Sequence, residues 1–363
     1  MNDLGNTYTA GFADSPWIIG ISLGDSGNLS SLVGNGNGHD GASLYAHVGM
    51  LVATTNFQQT TYSGGTYSDP EVYSKYAWVT YLQNKYHTIA ALNSAWNTGG
   101  YYTAFGDAGG FGTGSGVLDE DGRHTQWFGK DFYNLKGMNS NLQGDVNQFL
   151  YNFTIQAYKV QADTFRTVDT NHMFICGVFG GNGVGGARPQ VLQGLKDSGC
   201  NIQVWTWDAD LPSSSLAAFQ VMYDIVGTPA MVMYDTTAQL DSDMSNYPSN
   251  GSSGGNYTTQ EDRGSHYASD QPALLQAQGS NSDYYMLGSS LWGLTDMAPE
   301  HSNMGLLSLS DNSYDGVCAV RAASIDQWGY ACGGEVADYG DYTGAVTQAN
   351  SNTLQQLILT VRQ

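Results

Sequence analysis

The chain has 363 residues, 41% of them hydrophobic and 12% aromatic, which is apolar material for one large core or two modest ones and excludes a disordered polymer. Its 33 acidic residues against 12 basic ones give a net charge of −21 with no basic stripe, which excludes a surface built for nucleic acid or anionic lipid. No apolar run approaches the roughly 20 residues that cross a bilayer, so no membrane partner is expected.

In chain order, Pro16–Gly24 (PWIIGISLG) is an apolar run closed by glycine and is expected as a strand. Residues 69–97 carry a helical pattern, with Asp69 as N-cap and Pro70 in the first turn. Within it, Tyr86, Ile89, Ala90, Leu92, Ala95 and Trp96 fall at helical spacing before Asn-Thr-Gly-Gly stops the helix at its bulkiest side chain. A glycine-rich loop over about 99–140 follows, then a long helix over 144–169. The remaining segments alternate: strand HMFICGVFGG, helix RPQVLQGLKDSG, strand NIQVWTWD, helix SSLAAFQVMYDIVG and strand PAMVMYD. A Ser/Gly/Asn-rich loop over 236–257, a strand over 284–296 and a helix over 344–363 complete the chain.

Continuous apolar strands alternating with helices imply an α/β fold with a parallel sheet. Without an internal repeat or linker, residues 1–363 are expected as a single barrel-like domain with loop insertions at 99–140 and 236–257. The strands end in acidic or aromatic residues, Gly24-Asp25, Trp205 to Asp208, Tyr234-Asp235 and Trp292 to Asp296. In a (β/α) barrel the C-terminal strand ends carry the site.

A polar surface built from Ser, Thr, Asn, Gln, Gly and Tyr with few lysines suits an extracellular protein, and a secreted location is expected. Residues 1–20 lack a basic n-region and an apolar h-region, so any signal peptide has been removed or lies upstream. The four cysteines form no CxxC pair, which argues against zinc. Cys318 and Cys332 are expected as a disulfide, and Cys176, inside MFICGVF, as a buried thiol. Sequons stand at Asn28, Asn152, Asn250 and Asn256. LDEDGRH (118–124) lacks the ligand spacing and closing glutamate of a calcium loop and is read as a turn. GGNGVGG (180–186) lacks the register of a dinucleotide fingerprint. No metal or cofactor is expected.

PWIIGISLGDSGN, YLQNKYHTIAALNSAWNT and the long helix ending RTVDTNHMF together resemble the β-galactosidase-type glycoside hydrolases of family 42 over roughly Pro16 to Trp292, most specifically in the leucine-asparagine to alanine-tryptophan helix. The resemblance implies a (β/α)8 TIM-type barrel, of which five of eight strands are evident here. The strands at 16–26, 172–181, 201–208, 229–235 and 284–293 would be its fourth to eighth. The three preceding βα units are left to a longer polypeptide, a partner chain or a homo-oligomer.

The implied activity is hydrolysis of a β-linked, galactoside-like glycan by retention, which uses one carboxyl group as acid/base and another as nucleophile about 5 Å away. The family's Asn-Glu pair after the fourth strand is Asp25-Ser26 here, so Asp25 is the remaining candidate acid/base. The family's nucleophile glutamate, ending the seventh strand, is Asp235 here. Asp208, Asp296 and Glu300 are candidate ligands for sugar hydroxyls or sources of the second carboxyl, Trp205, Trp207 and Trp292 candidate stacking platforms, and Trp96 with its following loop is expected to shape the cleft. Because neither expected glutamate is present, a catalytically inactive relative that binds glycan or serves assembly is the alternative reading.

Overall fold

The computed structural model describes residues 14–22, 60–62, 65–67, 73–110, 112–120, 124, 127, 138–177, 188–208, 213–235, 260–291, 293–295, 305–307 and 339–361. In chain order they form β1 (Gly20–Ser22), β2 (Thr60–Tyr62), β3 (Gly65–Tyr67), α1 (Tyr73–Tyr86), α2 (Ile89–Trp96), α3 (Ser140–Val168), β4 (Met173–Gly177), α4 (Pro189–Asp197), β5 (Val204–Asp208), α5 (Ser213–Val226), β6 (Ala230–Asp235), α6 (Gln260–Leu275), β7 (Met286–Leu291), β8 (Gly293–Thr295), β9 (Gly305–Leu307) and α7 (Tyr339–Val361). The chain divides into two compact units, one of Met1–Ser26, Phe165–Gly177 and Asn201–Gln363, the other of Gly27–Thr164 and Val178–Cys200. The sequence suggests one domain because no linker marks any of the four junctions.

The first unit is built on a five-stranded, wholly parallel sheet in the order β1-β4-β5-β6-β7, so the five expected strands are neighbours in their sequence order. Parallel strands are covered on both faces and therefore carry runs of apolar residues rather than an alternation. Phe174, Ile175 and Cys176 are consecutive buried residues of β4, and Val204, Trp205 and Thr206 of β5. Phe219 and Met222 of α5 and Leu274 of α6 are buried too. Gly20 is dictated by close approach, since a Cβ there would lie 2.7 Å from Ile175 Cδ1 and 2.8 Å from the Met173 carbonyl oxygen. The helix α6 was not foreseen, because Gly264, Pro272 and many polar residues blur its pattern. It packs on α7 through Tyr267, Ala268, Val346 and Ala349, and Gln271 Nε2 donates to Ser289 Oγ of β7 at 2.7 Å.

The second unit contains α1, α2, most of α3, α4 and the β2–β3 hairpin. The helix expected over 69–97 breaks in two at His87, whose φ is 61°, and Thr88 caps the new start by accepting from Ala91 N at 3.2 Å. Asn97 ends α2 in the left-handed conformation, φ 56° and ψ 45°, the helix stop that the Asn-Thr-Gly-Gly turn implied. Gly194 of α4 meets α3 so closely that a Cβ would lie 2.2 Å from Ile155 Cδ1.

The described residues contain no disulfide, and Cys318 and Cys332 lie outside them. Cys176 is buried on β4 as expected. The half-buried Cys200 thiol is pushed up to about 11 by burial, with Asp163 adding to the shift. No described helix is long and apolar enough to cross a membrane.

A side-chain contact adds to the β1–β4 ladder in holding residues 14–22 to the sheet. His172, just before β4, uses Nε2 against the Ser15 carbonyl at 2.9 Å and Nδ1 against Asp169 Oδ2 at 2.7 Å. Both partners are acceptors, so both ring nitrogens must carry hydrogen and the imidazolium is favoured. The Ser15 carbonyl, and after it the Asp169 carboxylate, raise the His172 pKa above its ordinary value of 6.5. A group raised on folding stabilises fully below its unfolded pKa and loses that contribution as pH climbs through the folded value. Urea unfolding should therefore show a stability component that fades as pH rises above 6.5 through the folded pKa, and His172→Gln should lack that slope. An unchanged slope in the variant would place the titration elsewhere.

Candidate functional site

All five strands of the first unit run the same way, so their C-terminal ends, Ser22, Gly177, Asp208, Asp235 and Leu291, form one edge of the sheet. Asp208 and Asp235 close the adjacent strands β5 and β6. Asp208 is level with Met233, which places Asp235 two residues further along its strand. With strands about 4.8 Å apart and a rise of about 3.3 Å per residue, the two backbones stand about 8 Å apart. Between Val232 and Asp235 the pairing of β6 with β7 slips by one residue, with Val232 opposite Ser289 and Asp235 opposite Leu291. A bulge of this kind resets the alternation of the strand just before its terminal aspartate. Gly288 of β7, with φ 145°, takes a conformation open to glycine in the complementary irregularity.

The other sequence candidates fall in different places. Asp25 follows β1 by three residues, and Asp25, Trp292, Asp296 and Glu300 lie outside the described residues. Trp207 and Asp208 are the last two residues of β5. Trp205 is on β5 but only 1% exposed, so a sugar ring cannot stack on it in this structure.

Trp96 requires the same correction, since it is also 1% exposed and serves as a strut of the second unit rather than a cleft wall. Its ring stacks on Trp78 at 6.1 Å and meets Tyr102 edge-on at 5.9 Å. Its Nε1 donates to Asp145 Oδ2 at 2.7 Å, and the Tyr86 hydroxyl donates to the same oxygen at 2.7 Å. Lys85 Nζ donates to Asp145 Oδ1, so a fully buried carboxylate gathers donors from α1 and α2. Burial, reinforced by this carboxylate, pushes the Tyr81 hydroxyl up to about 12. The helix of the amphipathic pattern thus ends in a large ring because that ring bridges α2 to α3.

The loop after Trp96, in which LDEDGRH reads as a plain turn, holds a buried cluster. Asn93 anchors its start, donating from Nδ2 to the Tyr102 carbonyl at 2.7 Å and accepting from Tyr102 N at 3.1 Å. Asp119 is buried within it, accepting from Ala108 N at 2.7 Å and Gly116 N at 3.0 Å. Glu120 Oε2 accepts the Tyr102 hydroxyl at 2.5 Å, and His124 Nδ1 lies 2.7 Å from the same oxygen. Burial, then the Glu120 charge, holds the Tyr102 hydroxyl well above its usual range. LDEDGRH places three carboxylates and a histidine within seven residues, and nothing local tells which of them turn inward.

The five-stranded parallel sheet with its alternating helices defines an α/β fold of the kind on which barrel enzymes are built. No family model matches the chain, and no curated protein matches it. Solved structures do. PfGH50B superposes with a TM-score of 0.61 at 15% identity, covering 98% of this chain and 40% of its own length. An exo-β-agarase and the agarase AgWH50C each superpose with a TM-score of 0.58 at 15% identity and 97% coverage of this chain, over 37% and 39% of their own lengths. These neighbours are TIM-barrel-type glycoside hydrolases, so the expected fold class is met, and the chain spans about two-fifths of their length.

The placement of Trp96 is testable. Trp96→Phe keeps a ring but removes the donor to Asp145, and should cost about 1–3 kcal/mol in denaturant unfolding. On any glycoside that the wild type cleaves, KM should stay within about twofold, because no substrate contact is lost. A large rise in KM at unchanged stability would return Trp96 to the cleft.

Proposed function

We propose that the protein is a secreted glycoside hydrolase acting on β-linked, galactoside-like glycans with retention, Asp235 serving as nucleophile and Asp25 as acid/base. The observation that carries this reading is the pair of aspartates ending adjacent parallel strands, Asp208 on β5 and Asp235 on β6, at the C-terminal edge of the sheet. Backbones about 8 Å apart leave room for one sugar to meet Asp235 at its anomeric carbon and Asp208 at a neighbouring hydroxyl. The likeness in fold to agarases, and the resemblance of the sequence to β-galactosidase-type enzymes, agree with the substrate class. The acidic, lysine-poor composition agrees with an extracellular setting.

In this mechanism the Asp235 carboxylate attacks the anomeric carbon while Asp25 protonates the leaving oxygen. Water then breaks the glycosyl ester with Asp25 as base. The register shift between Val232 and Asp235 sets the backbone position of the nucleophile, which is one methylene shorter than the glutamate of the resembled family. Asp208 orients a sugar hydroxyl beside the nucleophile, with Trp292, Asp296 and Glu300 contributing further binding contacts. No step calls for a cofactor.

A second reading has its own observation, Ser26 at the position where the resembled family has its acid/base glutamate. Serine cannot protonate a leaving group at a useful rate, and a glycan-binding protein without turnover would need no such group.

Hydrolysis of aryl β-galactosides and agarose-derived oligosaccharides separates the two. Asp235→Asn should lower turnover by about three orders of magnitude or more while binding stays nearly intact. A variant that keeps more than about a tenth of the wild-type rate would remove the nucleophile assignment. Wild-type binding without hydrolysis across the panel would favour the inactive relative.

A further inference from the structure

Three described histidines pair with carboxylates, His124, His172 and His266, and the first two differ in what the second ring nitrogen does. In His172 both nitrogens are committed, Nδ1 to Asp169 and Nε2 to the Ser15 carbonyl, as befits a structural group. In His124 only Nδ1 is committed, to Glu120 Oε2 at 2.7 Å and Oε1 at 2.9 Å. Its Nε2 makes no hydrogen bond among the described residues and is not among the buried polar atoms, while 23% of the side chain is exposed against 2% for Glu120.

The surroundings fix which nitrogen carries the proton. Glu120 already accepts the Tyr102 hydroxyl at 2.5 Å, and that hydroxyl in turn accepts Trp127 Nε1 at 3.2 Å. Tyr102 therefore cannot give its proton elsewhere, and because a carboxylate only accepts, the His124 nitrogen that faces Glu120 carries the hydrogen. The neutral imidazole is thus held as the Nδ1–H tautomer, with the Nε2 lone pair facing outward. The ring is also immobilised. It stacks on Trp127 at 4.8 Å with a 6° interplanar angle, and Tyr101 packs at 4.2 Å from it and 5.4 Å from Trp127. Tyr101 is itself half-buried, and its hydroxyl donates to the Gly114 carbonyl at 3.3 Å, so its ring also has a fixed orientation.

We propose that Tyr101 and His124 form a glycan subsite in the second unit, His124 Nε2 accepting a hydrogen bond from a sugar hydroxyl and the Tyr101 ring supporting the apolar face of the same sugar. A preoriented acceptor beside a rigid aromatic ring suits a polyhydroxylated ring, which offers O–H donors at its rim and C–H groups on its face. Glu120, Tyr102 and Trp127 are positioning residues that set the tautomer and the angle of the imidazole. This inference rests on the glycan reading above but not on Asp235 or Asp25, because binding here requires no turnover.

The test is titration of the wild-type protein with an agarose-derived tetrasaccharide, followed by calorimetry and by long-range 1H–15N spectra of the histidine rings. In the free protein His124 should appear as the Nδ1–H tautomer, and its Nε2 resonance should shift on saturation while that of His172 stays put. His124→Ala and Tyr101→Ala should each weaken binding about tenfold, and His124→Gln, which keeps a polar group on the loop, should recover part of the loss. Should the alanine variants misfold, the wild-type Nε2 shift decides alone. If the tetrasaccharide binds with the His124 resonance unmoved, the subsite is wrong and the glycan reading survives. If the wild type neither binds nor cleaves any member of the glycan panel, the glycan reading fails and this inference falls with it.

Discussion

The parallel ladder from β1 to β7 is the constraint on which the first unit depends. Parallel neighbours cannot be joined by tight turns, so each strand must be followed by a crossover long enough to return the chain to its starting edge. That requirement places a helix after β5 and after β6. It also sends every strand end to one side, which is how Asp208 and Asp235, 27 positions apart in sequence, come to close neighbouring strands. The same ladder demands burial on both faces, which explains why Phe174, Val204, Trp205 and Val232 sit in near-continuous apolar segments.

The second unit is organised by a different economy of groups. Only 12 lysines and arginines serve 33 acidic residues, so most carboxylates cannot be neutralised by a cation. Asp145, Asp119 and Glu120 are nonetheless buried, and neutral donors do much of the work: an indole N–H and a phenol for Asp145, backbone amides for Asp119, and a phenol with an imidazole for Glu120. The abundance of Tyr and Trp is in this respect a substitute for basic residues, since each brings apolar surface and one polar atom to the same place. Glycine is the complement of the arrangement. At Gly114 an added Cβ would lie 2.2 Å from Asp119 Oδ2, so the carboxylate fits only against bare backbone.

A fold of this type supports many chemistries, and the fold alone selects none of them. Among the described residues, the strand ends carry Asp208 and Asp235, and the loop after α2 brings Asp119 and Glu120 together with Tyr101, Tyr102 and Trp127. The proposed glycan is an uncharged, hydroxyl-rich ligand, in keeping with the net charge of −21.

The sequence by itself determined the parallel α/β class, the five principal strands and the stop after Trp96, because strand burial on two faces and helix termination are written in local patterns of apolar residues, glycine and asparagine. It also placed Asp208 and Asp235 at strand ends, since those ends coincide with the ends of the apolar runs. Tertiary structure alone decided what Trp96 and Trp205 do: the same spacing fits a core ring and a substrate platform, and only the neighbours around them close them off. The split of residues 69–97 at His87, the helix Gln260–Leu275 and the division into two units were likewise invisible, each resting on contacts between distant segments. The inward turn of Glu120 is the clearest case. Nothing in LDEDGRH distinguishes it from its acidic neighbours until Tyr102 and Trp127, 18 residues before it and 7 after, arrive to hold it.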